Sequence, residues 1–140
     1  MNLLARREHS EYELTRKLRT RGFTLEDIQP VIAKLVTEGL LSNKRFVENY
    51  IHFRRQKGYG PQRIRAELNE RGISEDMIEH HLNIADNAWF TCAHKTWQKR
   101  FKGNMPSDFK TRAQQMRFLQ YRGFTSEQIN SIFHSDTEDA

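Results

Sequence analysis

A four-residue phrase occurs three times along the chain at an almost constant period. The copies are Arg21-Gly22-Phe23-Thr24, Arg71-Gly72-Ile73-Ser74 and Arg122-Gly123-Phe124-Thr125, and their glycines are 50 and 51 residues apart. A leucine stands four residues before each glycine, and an isoleucine stands six residues after it. An internal repeat of this length indicates one supersecondary unit copied along the chain. The sequence therefore predicts an elongated array of small units and disfavours a globule built around a catalytic pocket.

Each phrase has the features of a helix end, a tight corner and a new helix start. A glycine after the last helical turn can adopt the left-handed conformation that closes a helix. The Thr or Ser that follows can cap the next helix by accepting backbone N–H bonds. Apolar residues then recur with helical spacing, and no segment alternates with the period of a strand. The pattern predicts an all-α protein.

Capping residues and breaks in the apolar pattern also predict the helix boundaries. Pro30 removes an interior hydrogen bond, so we expect its helix to be kinked or to begin late. The predicted organisation is three units of one long and two short helices, at residues 1–42, 43–85 and 86–140. The first unit has its first helix truncated, and the third ends in an acidic tail. Helix starts are predicted near Ser10, Thr24, Asn43, Pro61, Ser74, Asp86, Ser107 and Thr125.

The two tryptophans lie eight residues apart on the long helix predicted for residues 86 to 101. At 100° per residue they point roughly 80° apart, so one can face the core of its unit while the other faces an adjoining unit. We therefore predict that Trp89 or Trp97 is largely buried against a neighbouring helix.

The composition favours a protein of the cytoplasm. Cys92 is the only cysteine, which excludes an intrachain disulfide and fits a reducing compartment. The apolar start Leu3-Leu4-Ala5 is too short for a signal peptide, and no run approaches the roughly 18 apolar residues of a membrane span. We expect a cytoplasmic protein.

The sequence contains no recognisable catalytic, cofactor-binding or metal-binding motif. Neither a GxxxxGK[ST] nor a GxGxxG phosphate loop occurs, and cysteine–histidine zinc spacing is absent. The six histidines are scattered, and the adjacent His80 and His81 would point to different faces of a helix. We therefore predict a protein that is not an enzyme, with no metal site and no cofactor.

The distribution of charge indicates a binding surface. The net charge is +5, and residues 49 to 66 contain five cations and no acid. These cations surround a Gly-rich corner that would gather side chains from two helices. The helix dipole also favours cations near helix C-termini, but that effect does not explain the missing acids. The predicted main patch is Arg54, Arg55, Lys57, Tyr59, Arg63 and Arg65, and a secondary patch is Lys99, Arg100 and Lys102.

We expect the cations of the main patch to be exposed. Because isolated surface ion pairs contribute only about 0–1 kcal/mol, alanine at Arg54, Lys57 and Arg63 is expected to change stability little.

Several segments closely resemble the motifs of the RecX regulatory proteins. The segment from Phe53 to Leu68, FRRQKGYGPQRIRAEL, resembles the central motif of that family. The segment from Arg7 to Leu14, with Lys17-Leu18, resembles the motif of its first repeat. Gly39-Leu40-Leu41 with Arg45-Phe46, and Phe118 to Phe124, are similar to the entry of its second repeat and to its last repeat.

The resemblance covers nearly the whole chain and implies both a fold and a function. The fold would be tandem three-helix repeats in a curved array. The function would be that of a monomeric regulator that binds the RecA recombinase and its filament on DNA. It would inhibit ATP hydrolysis, filament extension and strand exchange.

Residue patterns alone leave a second interpretation open, a stand-alone DNA-binding protein of the helix-turn-helix type. Short helices joined by glycine corners also describe such units, whose second helix enters the major groove. Acids at Glu26, Asp27, Glu75, Asp76 and Glu127 lie where such helices would meet bases, which argues against this interpretation. Binding to recombinase without DNA, compared with binding to DNA without recombinase, distinguishes the two.

Overall fold

The computed structural model describes residues 7 to 138, with side chains described for residues 7 to 134. All regular secondary structure in that part of the chain is α-helical, which confirms the predicted fold class. The helices are α1 Glu11–Thr20, α2 Leu25–Thr37, α3 Asn43–Gln56, α4 Pro61–Glu70, α5 Glu75–His81, α6 Asn87–Phe101, α7 Phe109–Arg122 and α8 Ser126–Glu138.

Side-chain caps account for where several helices begin, and each helix starts within two residues of its predicted position. Ser10 accepts from the backbone N–H of Glu13, whose carboxylate accepts from the backbone N–H of Ser10. Thr125 and Gln128 make the same reciprocal pair at α8. Asp108, rather than Ser107, caps α7 by accepting from the N–H of Thr111 at 2.7 Å. These caps satisfy N–H groups that a helix start leaves without partners.

The three repeated glycines hold equivalent corners, as the sequence predicts. Gly22, Gly72 and Gly123 have φ angles of 100°, 78° and 101°. In each corner the residue after the glycine donates its N–H to the carbonyl of the repeated leucine, at 3.1 to 3.2 Å. This bond closes the helix in the Schellman manner, and the left-handed φ that it requires strongly favours glycine.

Pro30 and the end of α5 bear on two of the expectations. The helix α2 begins at Leu25 and contains Pro30, so of the two expected effects of the proline the late start does not occur, and the kink stays a prediction. The helix α5 ends at His81, although apolar residues with helical spacing, Leu82 and Ala85, follow it in the sequence. The truncated first helix that was predicted for the repeat at residues 1–42 falls on Met1–Arg6, which lie outside the described residues.

The chain divides into two compact units, and the division falls within α3 and α4. Unit 1 comprises residues 1–51 and 67–81, and unit 2 comprises residues 52–66 and 82–140. In unit 1, α1 packs against α2 around a cluster of Leu14, Ile28, Ile32 and Leu41. In unit 2, α6 packs against α7 and α8.

Both tryptophans are buried in unit 2, which confirms the prediction that at least one of them is. Trp89 is 2% exposed and Trp97 is 3% exposed. The indole N–H of Trp97 donates to Oε1 of the buried Gln115 at 2.7 Å, and the Gln115 amide donates to the carbonyl of Asn104 at 3.1 Å. Trp97 lies on α6 and Gln115 on α7. Burial of the indole ring removes apolar area from water, and its hydrogen bond orients the two helices.

Candidate interaction surface

The site is built where the start of α4 meets the corner between α7 and α8 in unit 2. The N–H of Gly60 donates to the carbonyl of Arg122 at 2.7 Å, and the N–H of Gln62 donates to the carbonyl of Gly123 at 2.9 Å. A side chain at Gly60 would meet the carbonyl carbon of Gly123 at 2.4 Å. The approach of the two backbones therefore requires glycine at position 60, and it brings Arg122 beside the Gly-rich corner.

Three arginines surround one tyrosine at this corner. The guanidinium carbons of Arg54, Arg63 and Arg122 lie 3.9, 4.6 and 4.7 Å from the ring centroid of Tyr59. All are within the distance at which a cation is attracted by an aromatic ring, a contact worth about 0.5–1 kcal/mol at exposed sites. These four residues form the Tyr59 cluster. The ring holds three planar guanidinium groups in one small region.

Further contacts fix the arginines and extend the cluster. Arg122 donates to the carbonyl of Lys57 at 3.0 Å and lies 4.9 Å from the ring centroid of Phe118. Arg63 donates to the carbonyl of Tyr121 at 3.2 Å and lies 5.1 Å from its ring. The Tyr121 side chain is 74% exposed, so an aromatic face borders the cluster on the surface. The result is a surface of guanidinium planes interleaved with aromatic rings.

The predicted main patch is only partly assembled as one surface. Arg54, Tyr59 and Arg63 come together, and Lys57 is exposed beside them. Arg55 instead lies 4.9 Å from the ring centroid of the buried Trp89. Adjacent residues on a helix point about 100° apart, which explains why Arg55 leaves the face on which Arg54 lies.

The expectation that the patch cations are exposed is wrong for the arginines. Arg54, Arg55, Arg63 and Arg65 are all partly buried, whereas Lys57 is exposed. The guanidinium groups of Arg54, Arg55 and Arg63 lie over aromatic rings, so alanine at these positions removes packing as well as charge. Glutamine, which keeps part of the stem, is the better test substitution.

The secondary patch lies on the end of α6, and its three cations are exposed. Arg100 lies 5.4 Å from the ring centroids of both Phe101 and Phe118. Phe118 also contacts Arg122, so Arg100 is linked to the Tyr59 cluster through one shared ring. Lys102 ends α6 in a left-handed conformation with φ of 55°. In the part of the chain that is described, no hydrogen bond, ion pair or ring contact joins Lys99 or Lys102 to the cluster.

Sequence reasoning missed Arg122, Phe118 and Tyr121 as members of the surface. The signal that was available is the repeated phrase itself, because Arg122 precedes the third repeated glycine. The missing information was that this corner packs on the start of α4, a contact between residues about sixty positions apart.

Between residues 7 and 138, no three His, Cys, Asp or Glu side chains could hold a metal ion together. Burial raises the pKa of the Cys92 thiol, which keeps it protonated at neutral pH and makes it a poor nucleophile. None of the helices described is long and apolar enough to cross a membrane.

Family models match three successive segments of the chain. Residues 1–35, 42–82 and 90–133 match the first, second and third three-helix domains of RecX.

Solved structures agree with the fold. The crystal structure of RecX from Lactobacillus salivarius covers 94% of this chain, and the match covers 88% of that protein, with a TM-score of 0.74 at 20% identity. A second RecX crystal structure has a TM-score of 0.76 at 22% identity, over 98% of this chain and 68% of that one.

Curated relatives resemble the chain more closely in sequence. Regulatory protein RecX of Pseudomonas putida strain GB-1 is 48% identical over 132 residues, which are 94% of this chain and 85% of that protein. Regulatory protein RecX of Ectopseudomonas mendocina is 45% identical over 138 residues, which are 99% of this chain and 92% of that protein. At this identity and coverage, the chain belongs to the RecX family of regulatory proteins.

Proposed function

We propose that this chain is a non-enzymatic regulator that binds the RecA recombinase and its filament on DNA. It inhibits ATP hydrolysis, filament extension and strand exchange in recombination and repair. Family membership supports the regulatory role. The Tyr59 cluster is the observation that supports our choice of the surface that binds the filament. The proposal includes a monomeric protein in the cytoplasm and repeat boundaries at residues 1–42, 43–85 and 86–140.

The chemistry of the Tyr59 cluster suits an anionic partner. A guanidinium group presents several N–H donors in a plane, which matches the oxygens of a phosphate or a carboxylate. Three such groups beside one ring concentrate positive charge on a small area. An inhibitor of this kind works by complementary shape and charge, so it needs no nucleophile or acid–base pair. Binding would hold the filament in a state that neither extends nor turns over.

The direct test of the function is ATP hydrolysis by the cognate recombinase on single-stranded DNA, with and without this protein. We expect hydrolysis to fall as the protein is added. If the protein blocks filament extension, less than one copy per recombinase molecule should be enough. Unchanged hydrolysis at saturating protein, together with no binding to the recombinase, would contradict the proposal.

A binding experiment separates the regulator from a stand-alone DNA-binding protein. The protein is titrated against recombinase without DNA, against DNA without recombinase, and against the assembled filament. The proposal predicts the tightest binding to the filament and measurable binding to recombinase alone. Tight binding to DNA alone, with none to recombinase, would support the helix-turn-helix alternative instead.

The salt dependence of filament binding identifies the anion that the cluster meets. Contacts with several phosphates release counterions, so affinity falls steeply as salt increases. If Arg54, Arg63 and Arg122 contact phosphate, replacing them with glutamine makes the slope of affinity against salt shallower. If they contact acidic protein side chains, the same variant weakens binding to DNA-free recombinase as well.

A further inference from the structure

Unit 1 contains a cleft of about 650 Å³ beside α1. One face of that helix lines it with Tyr12, Arg16 and Lys17, and the following corner adds Arg21. Arg71, from the corner between α4 and α5, also lines it. None of these residues belongs to the Tyr59 cluster. We call this site the α1 cleft.

A buried histidine holds Lys17 in the cleft. The Nζ atom of Lys17 lies 2.9 Å from Nε2 of His9, and Nδ1 of His9 lies 3.1 Å from the carbonyl oxygen of Arg7. His9 is 1% exposed. Burial lowers the pKa of His9, and the charges of Arg7 and Lys17 lower it further. The neutral ring therefore donates through Nδ1 and accepts from Lys17 through Nε2. Because this acceptor carries no charge, the positive charge of Lys17 stays uncompensated.

Arg71 is also held in a defined position. Its guanidinium donates to the carbonyl of Glu67 at 3.0 Å and stacks 4.9 Å from the ring centroid of Tyr50. Its Nε lies 3.5 Å from a carboxylate oxygen of Glu13, which also pairs with Arg7 at 3.2 Å. Glu13 is thus shared by two arginines, so it does not fully neutralise Arg71.

The remaining charges of the cleft are mostly positive. Among the residues that the structure describes, Arg16, Lys17 and Arg21 have no carboxylate within ion-pair distance. Arg16 lies 5.7 Å from the ring centroid of Tyr12, whose side chain is 45% exposed. Glu70 is the second acid of the lining. Four cations against two carboxylates leave the cleft with a net charge of +2.

We propose that the α1 cleft binds a small molecule that carries a phosphoryl chain and an aromatic base, such as a nucleoside diphosphate. Ammonium and guanidinium groups are the usual donors to phosphoryl oxygens. The volume lies within the roughly 300–1,000 Å³ of small-molecule sites, and the exposed face of Tyr12 can stack on a base. Lys17, Arg21 and Arg71 hold the phosphoryl groups, and Tyr12 holds the base.

Isothermal titration calorimetry of the full chain tests this proposal with ADP, pyrophosphate, adenosine and a short oligothymidylate as probes. We expect ADP to bind one to one, pyrophosphate to bind more weakly, and adenosine to give no measurable heat. Each of the variants Lys17→Gln and Arg21→Gln is expected to weaken ADP binding by about tenfold, the effect of one lost charged hydrogen bond.

Two further variants keep the test informative if a cation in the cleft also matters for folding. Glu70→Gln removes an opposing charge and should tighten ADP binding. Lys34→Gln removes one exposed cation from α2, outside the cleft, and should leave binding unchanged.

Three results would overturn the proposal. The first is ADP binding no tighter than adenosine binding. The second is an equal loss of affinity in Lys34→Gln and Lys17→Gln, which would indicate general charge attraction. The third is binding of oligothymidylate alone, which would assign the cleft to a nucleic-acid strand. Because these measurements contain no recombinase, they are independent of the proposed regulatory function.

Discussion

The substitution Gly60→Ala tests whether the start of α4 is tied to the corner between α7 and α8. An ideal Cβ at residue 60 would lie 2.4 Å from the carbonyl carbon of Gly123 and 2.5 Å from the backbone nitrogen of Phe124. Both are backbone atoms, so a side-chain rotation cannot relieve the overlap. The two segments must separate, and the hydrogen bonds from Gly60 and Gln62 lengthen or break.

The magnitude follows from those two bonds and the overlap. A typical hydrogen bond contributes about 1 kcal/mol net, and an overpacked methyl costs about 1–3 kcal/mol. We therefore expect Gly60→Ala to lower the free energy of unfolding by about 3–5 kcal/mol. Residue 60 does not have a positive φ angle, so strain of the backbone adds nothing.

Gly103→Ala is the matched control in the same unit. Gly103 has a φ of 76°, and the nearest atom to an added Cβ is a flexible Gln98 amide nitrogen at 3.8 Å. This variant introduces left-handed strain without a collision, at a cost of about 1–2 kcal/mol. Urea unfolding, followed by the fluorescence of Trp89 and Trp97 in this unit, compares the two variants. If Gly60→Ala is at least as stable as Gly103→Ala, the backbone at residue 60 does not approach the corner at Gly123 as closely as described.

Three other predictions test different parts of the structure. His9 has a lowered pKa in the fold, so the unfolded chain binds its proton more readily, and stability should fall as the pH drops below the usual value of 6.5. His9→Gln should flatten that fall in urea unfolding at a series of pH values; an unchanged slope would exclude His9 as its source. Trp97→Phe leaves Oε1 of the buried Gln115 without its donor. It should lower the free energy of unfolding, measured in urea, by about 1–3 kcal/mol beyond the cost of the smaller ring. An equal cost for Trp89→Phe, where no described hydrogen bond is lost, would refute that role. Arg122→Lys keeps the charge but loses the planar group, so recombinase inhibition should lie between wild type and Arg122→Gln; full activity of the lysine variant would show that charge alone suffices.

Local signals predicted the helices and corners because the groups that determine them are adjacent in sequence. A cap such as Ser10 with Glu13 joins residues three apart, and the hydrogen bond that closes a corner, such as Ile73 to Leu68, joins residues five apart. The left-handed glycine and the closing hydrogen bond are therefore visible in the sequence. The end of α5 was less predictable, since the apolar pattern continues past the last helical residue, His81.

The candidate surface was predicted only in part, because the sequence shows where the cations lie along the chain but not which way each side chain points. Arg54 and Arg55 are neighbours in sequence, yet one stacks on Tyr59 and the other on Trp89. Arg122 reaches the surface through a contact with Lys57, 65 residues earlier in the chain. No local pattern encodes that contact.

We propose that the Tyr59 cluster is the surface through which this protein acts on the recombinase filament. The most direct measurement compares two triple variants in the recombinase ATP hydrolysis assay. The cluster variant carries Arg54→Gln, Arg63→Gln and Arg122→Gln. The control variant replaces three exposed cations of the same unit with glutamine: Lys95, Lys110 and Arg117.

Both variants lose three positive charges, and circular dichroism establishes that each is folded. We expect the control variant to inhibit hydrolysis at nearly the wild-type concentration. The cluster variant should need at least about tenfold more, equivalent to about 1.4 kcal/mol of binding. A folded cluster variant that inhibits at the wild-type concentration would contradict the claim.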